Sequence, residues 1–348
     1  MNDEEYDNNQ DIKMKMKRVS ISISHIFIII LSAIFIISCK NYVQQKQYKI
    51  GILCGLDYLA HLEVGFTSKM IELGYHEGKN IVYFYHRTNF EPEKEQQILN
   101  QFIRDQVDLI LTYPTEVSMV AKNITQKTNT PVIFAVANIE ETNLIESVQK
   151  PGGNLTGIRF PGPDLAVKRF EVLREIVPKV KKIWIPYQRG YPIIKSQMDV
   201  LNPVAKEAGI TLIEFPADDA REVRSELERI RSLGDPDLDA ILFIAEPLSC
   251  TDDTFEEICK FAYNYNIPLG GGLMQVGDYE SIYGVDIDAS QTGEQAAILA
   301  DKILKGTPAG MIPVVSSESY LVINYKSAQK FGLIIPEGLL CRADRIIR

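Results

Sequence analysis

Hydrophobic and polar positions alternate along the chain in two rhythms. Short apolar runs, "YKIGILCG", "NIVYFYH", "VDLILTY" and "PVIFAVA", recur between longer stretches such as "EPEKEQQILNQFIRDQ", where Ile98, Leu99, Phe102 and Ile103 fall on one helical face. Continuous apolar strands separated by amphipathic helices predict a parallel sheet covered on both faces. A break follows at "QKPGGNLTGIRFPGP", rich in glycine and proline, which reads as a hinge. The same order then repeats: a helix from Asp164, then strands "KKIWIPY", "TLIEFP", "DAILFIA" and "IPLGGGLM", with helices between them.

A further stretch, "ESIYGVDIDASQTGEQAAILADKILKG", passes from strand to helix, with Thr292 and Gln295 at capping-box spacing and Ala296, Leu299, Ala300, Ile303 and Leu304 on one face. The pattern therefore predicts an α/β fold of two doubly wound, Rossmann-like lobes joined by a hinge of several crossings. Lobe 1 is expected to hold residues 48–158 and 287–315, and lobe 2 residues 159–286 and 316–348. In open α/β sheets the ligand site lies at the carboxyl ends of the strands.

The amino-terminal region follows neither rhythm. Lys13, Lys15, Lys17 and Arg18 precede an uncharged run, Val19–Ser38, that ends at Cys39. Its length suffices to cross a hydrocarbon core of about 30 Å, but a basic flank, an apolar run and a small residue also make an export signal. The acidic start "MNDEEYDNNQDI" is foreign to such a signal and reads as a start-site extension covering residues 1–13. Two readings stand. In one, residues 1–38 are a cleaved signal peptide, Cys39 is lipidated (palmitate-like acylation) and residues 39–47 are a tether; in the other, the run is an uncleaved anchor. Both place the remainder outside the cytoplasmic membrane.

Composition narrows the function. A formal net charge of -9 without a long basic run argues against a nucleic-acid partner. Cys54, Cys250, Cys259 and Cys341 form no C-x-x-C pair and read as free thiols, with a bridge between two of them left open. His61, His76 and His86 lack metal-ligand spacing, and neither a dinucleotide fingerprint, a P-loop nor a nucleophile elbow is present. The pairs Asp218/Asp219 and Asp252/Asp253 sit at predicted helix starts, where they serve the helix dipole. No enzyme activity, cofactor or metal is expected.

The strings "LGYHEGKNIVYFY", "VDLILT", "PVIFAVA", "KPGGNLTGI", "TGEQAAILADKILKG" and "VINYKSAQKFGLIIPEGLLCRADRII" resemble the ABC transporter substrate-binding proteins whose better-known members bind tryptophan or other aromatic amino acids. The resemblance runs from about residue 48 to the end. It implies a type I periplasmic-binding-protein fold, a small organic ligand held between closing lobes, and delivery to a membrane permease with its ATPase. A ligand-sensing module for a membrane receptor is the alternative.

On that basis the loops after the strands supply the candidate site: Asp57, Tyr58, Arg87, Tyr113, Thr115, Ser118 and Asn138 from lobe 1, and Tyr187, Arg189, Glu246, Gly271 and Asp286 from lobe 2. Thr115 and Ser118, at a helix start, are expected to receive an anionic group such as a carboxylate, and Tyr58, Tyr113 and Tyr187 to sandwich a flat ligand. The chain departs from the family pattern at "ANIE", "YQRGYP" and "AEPLS", and carries glycine where an aspartate is common after the next strand, so ligand identity does not follow from the resemblance.

Overall fold

The computed structural model describes residues 46–56, 59–140 and 142–348. The expected signal, Cys39, Asp57 and Tyr58 lie outside them. Among the described residues no helix is long and apolar enough to cross a membrane.

The first half follows the two rhythms. Strands β1 (Tyr48–Cys54), β2 (Ile81–Arg87), β3 (Leu109–Tyr113), β4 (Val132–Ala137) and β5 (Leu155–Arg159) alternate with helices α1 (His61–Glu72), α2 (Pro92–Arg104) and α3 (Thr115–Thr125). β3 and β4 are buried along their whole length, as continuous apolar runs require. On one sheet face Ile50, Ile52 and Ile133 pack with Leu62, Phe66 and Met70 of α1. On the other, Leu53, Ile110 and Phe134 pack with Leu99 and Phe102 of α2 and Val117 and Ala121 of α3.

The second half repeats this plan with α4 (Gly162–Ile176), β6 (Lys182–Gln188), α5 (Ile194–Glu207), β7 (Thr211–Ala217), α6 (Ala220–Ser232), β8 (Ala240–Leu242), α7 (Asp252–Tyr265) and β9 (Leu269–Gly270). A small hairpin, β10 (Gln275–Val276) with β11 (Tyr279–Glu280), leads to β12 (Tyr283–Ile287) and α8 (Ala289–Leu304). The chain closes with β13 (Val315–Ser316), β14 (Ser319–Asn324), α9 (Tyr325–Lys330), α10 (Glu337–Arg342) and β15 (Arg345–Ile347).

The first sheet is parallel throughout, in the order β13-β5-β4-β3-β1-β2. The second runs β7-β6-β8-β9, also parallel. In each, the second strand lies outside the first and the third on its other side, so the winding reverses beside the first strand; this is the switch point at which such sheets open a crevice. A bridge between Gly271 and Gly284 continues the second sheet into β12-β14-β15. The chain passes between sheets after β5, after β12 and between β13 and β14. α8 returns to the first half, where Ala296, Ala300 and Ile303 join the α1 face. Two glycines let the helices touch: a Cβ at Gly65 would stand 1.9 Å from the Ser290 carbonyl oxygen, and one at Gly293 would stand 2.1 Å from that of Leu62.

Three local expectations are corrected. The glycine-rich break contains β5, an inner strand, so only the residues after Arg159 form the joint. The expected capping box is replaced by Asp288, whose carboxylate accepts the Gln291 N–H, while the Thr292 hydroxyl donates to the Asp288 carbonyl. The run "IPLGGGLM" shortens to Leu269–Gly270, because Gly271 turns to φ +120°, a conformation open to glycine, and presses against the Phe243 carbonyl.

Candidate functional site

At the carboxyl edge of the first sheet, β3 ends in a cis Tyr113–Pro114 bond and α3 begins at Thr115. The Thr115 hydroxyl accepts the Asn138 N–H at 2.9 Å, joining the ends of β3 and β4. Ser118 is fully buried; its hydroxyl donates to the Pro114 carbonyl at 2.7 Å and accepts from Thr112 Oγ1 at 3.1 Å. It is spent inside the helix start, which corrects its expected role in receiving an anion. The next residue on that edge is Glu116, whose carboxylate lies close enough to its own backbone N–H and to the Tyr191 hydroxyl for both to lower its pKa. Burial pushes its carboxyl above the ordinary range, and those two neighbours pull it partly back. Glu116 Oε2 has no protein hydrogen-bond partner. Neither has Oδ1 of Asn138, a residue only 2% exposed whose Nδ2 donates to the Glu140 carbonyl. Tyr191 follows β6, so loops from the two sheets meet at Glu116.

Arg87 and Tyr113 converge on a residue outside the expected set. Glu63, in the first turn of α1, accepts the Tyr113 hydroxyl at 2.9 Å and Arg87 Nη2 at 3.1 Å. Tyr113 is completely buried, so its ring is a core element rather than one wall of a sandwich, and burial is the main reason its phenol is held protonated far above the ordinary range.

In the second half the centre is Arg169, only 3% exposed. Its Nε donates to the Val285 carbonyl at 2.8 Å and Nη1 to the Phe243 carbonyl at 3.3 Å, and Nη2 lies 3.6 Å from Asp286 Oδ2. A guanidinium thus ties the ends of β8 and β12 and faces a half-exposed carboxylate. Glu246 accepts backbone N–H groups of Gln188 at 3.0 Å, Leu248 at 2.7 Å and Ser249 at 2.6 Å, fixing the loop after β8 to the end of β6. Burial raises its pKa against those bonds. Fully buried Gln197 clamps the preceding residue, donating to the Ala245 carbonyl at 2.8 Å and accepting its N–H at 2.9 Å.

The remaining expectations point elsewhere. The Tyr187 hydroxyl donates to Glu214 Oε2 at 2.8 Å, and burial with that bond pushes its phenol up to about 12; the ring serves the β6–β7 pair rather than a sandwich. Arg189 is exposed and pairs with Asp218 and Glu222 at 3.0 and 2.7 Å. Gly271 closes the sheet by accepting the Val285 N–H at 2.8 Å. Among the described residues no three His, Cys, Asp or Glu side chains converge as a metal site, and Cys54, Cys250, Cys259 and Cys341 are free.

Residues 50–347 match the family model described as ABC transporter substrate binding protein. The chain belongs to the ABC transporter substrate-binding protein family. This is a family of solute-binding proteins that act outside the cytoplasm, not of enzymes. A tyrosine-binding protein of Clostridioides difficile is 27% identical over 295 residues, covering 82% of this chain and 81% of that protein. A conserved domain protein of Vibrio cholerae superposes with a TM-score of 0.73 at 26% identity, over 86% of this chain and 100% of that one. An ABC domain from Streptococcus pneumonia in complex with L-Trp gives 0.73 at 24% identity, over 87% and 100%, and supports the type I periplasmic-binding-protein fold.

For this substrate-binding protein, Glu63, Glu116, Arg169, Tyr191 and Gln197 were not among the residues the sequence singles out. Arg169 left one signal: it interrupts the apolar stripe Leu165, Ala166, Phe170 and Leu173 on α4. An arginine in such a stripe needs buried acceptors.

Proposed function

We propose that this chain is a lipid-anchored capture protein that holds a small organic molecule, of the aromatic amino-acid class, between two lobes and delivers it to an ABC importer. The observation that carries the reading is the approach of Tyr191 to Glu116, which brings together loops following β6 and β3, the latter tied through Thr115 to Asn138 with its unpartnered amide oxygen. Both loops leave their sheets at switch points, where ligands of such sheets bind. The tyrosine-binding relative supports the ligand class. The lobes are those read from the sequence, with Arg159 and Ser316 added to lobe 1 because β5 and β13 pair there. In this reading Glu116 and Tyr191, with Thr115 and Asn138 beside Glu116 in the chain or by hydrogen bond, would form one edge of the site, and Arg169, Asp286 and Glu246 the other.

A thermal-shift and calorimetric screen of the 41–348 fragment against amino acids, nucleobases and organic acids tests capture. A ligand present at 100 times its dissociation constant stabilises by about 2.7 kcal/mol. An aromatic amino acid is expected to raise the melting temperature; a screen in which only nucleobases or organic acids respond would replace the ligand class. For the anchor, Cys39→Ser is expected to abolish acyl-label incorporation and leave the precursor uncut. Normal processing of that variant would remove the lipoprotein reading.

A further inference from the structure

The start of α3 is the obvious place for a ligand's anionic group, because the free N–H groups of a helix amino terminus favour negative charge. In this chain the place is taken. Glu116 sets its carboxylate beside its own backbone N–H, the Thr115 hydroxyl is engaged by the Asn138 N–H, and the Ser118 hydroxyl is consumed by Pro114 and Thr112. What this edge offers instead is two acceptors, Glu116 Oε2 and Asn138 Oδ1, both buried and both without a protein donor. Asn138 cannot be relieved by an amide flip, since its Nδ2 already donates to the Glu140 carbonyl at 3.1 Å.

We propose that Glu116 determines specificity by carrying the anion itself, so that the ligand must present a cationic N–H donor, an amine, to Glu116 and Asn138. The inference rests on the small-ligand reading above and sharpens it. A buried carboxylate oxygen and a buried amide oxygen each carry a desolvation cost until a donor arrives, and an ammonium group with three N–H bonds supplies donors to both. A second carboxylate or a phosphate brought to the same spot would meet Glu116 as a like charge in a poorly solvated setting, a repulsion that excludes such ligands. Tyr191 brings a hydroxyl beside this carboxylate from the other sheet.

Isothermal titration of the mature chain with three matched probes tests this: L-tyrosine, tyramine, which lacks the carboxylate, and 3-(4-hydroxyphenyl)propanoate, which lacks the amine. Wild type is expected to bind tyramine more tightly than the propanoate by about 10- to 100-fold, the effect of a charge-assisted hydrogen bond. Glu116→Gln, which keeps the shape and loses the charge, is expected to erase most of that preference. Glu116→Ala frees the helix terminus and is expected to gain affinity for the propanoate. Equal binding of amine and acid by wild type, or an unchanged preference in Glu116→Gln, overturns the inference while leaving ligand capture standing. If none of the three binds, the aromatic amino-acid reading falls and takes this inference with it. Melting temperatures of the unliganded variants show whether each folds, and if Glu116→Gln does not, the wild-type ranking of tyramine against the propanoate decides alone.

Discussion

The Tyr113 hydroxyl donates to Glu63 Oε1 at 2.9 Å, tying the end of β3 to the first turn of α1. Arg87 holds the other carboxylate oxygen, so one acid gathers the ends of β2 and β3 beside the loop that leads into α1. Tyr113→Phe removes the donor and leaves the ring packing. A hydrogen bond to a charged partner contributes about 1.5–3 kcal/mol, and because Glu63 keeps Arg87, the loss is expected near the lower end. Urea unfolding should show a lowered midpoint at unchanged slope; an unaltered midpoint would remove the energetic role assigned to this bond.

Arg169 is a buried charge whose hydrogen bonds serve two strand ends in the second half. Arg169→Leu strands the Val285 and Phe243 carbonyls and leaves Asp286 without its cation, for an expected cost of about 2–4 kcal/mol. Arg169→Lys restores the charge but not the fork that serves two strands, and should recover only part of it. Denaturation curves of both variants check the order; a lysine variant as stable as wild type would show that charge alone matters.

A pH effect follows from Glu95. It is 3% exposed, accepts the Thr88 hydroxyl at 3.1 Å, and is shifted upward from its ordinary 4.5 chiefly by burial. A carboxyl that holds its proton more tightly folded than unfolded stabilises the fold fully below the ordinary value, and that contribution is lost as pH rises through the shifted one. Glu95→Gln is neutral throughout. The melting temperature of wild type relative to this variant should therefore rise as pH falls from neutrality toward 4.5, and level off on the alkaline side. A difference of opposite slope would contradict the burial argument.

The α1–α8 contact has no room for a methyl group. Gly65→Ala and Gly293→Ala each place a Cβ against backbone, at 1.9 and 2.1 Å, where no side chain can yield. Overpacking of this kind costs about 1–3 kcal/mol. Thermal melts should show both variants destabilised, and by less than the sum when combined, since one separation of the helices relieves both.

Much of the fold was legible because burial on both sheet faces writes itself as unbroken apolar runs: "VDLILTY" and "PVIFAVA" became β3 and β4 with every strand residue buried. The joints were less legible. β9 is two residues long because Gly271 leaves the strand, and the pairing that continues the sheet comes from Gly284, a partner no local pattern reveals. The site was legible only as a set of loops. Thr115 and Asn138 meet, but Ser118 and Tyr113 point inward because their hydrogen-bonding groups find partners there, and Glu116 was overlooked beside Thr115 since an acid at a helix start has an ordinary explanation in the dipole. The direction of a side chain is a tertiary fact.

Arg159 divides its guanidinium between Glu140, at 2.9 Å on its own side of the first joint, and Asp164, at 2.9 Å in the opening turn of α4 beyond it. The Asp164 side chain is 58% exposed, so its bond is a hydrated ion pair, contributing at most about 1 kcal/mol and weakened by electrolyte. A brace that slight resists rotation of one half against the other only feebly. On the proposed two-lobe reading, a joint so lightly braced would leave closure to the ligand, and salt would loosen the brace further.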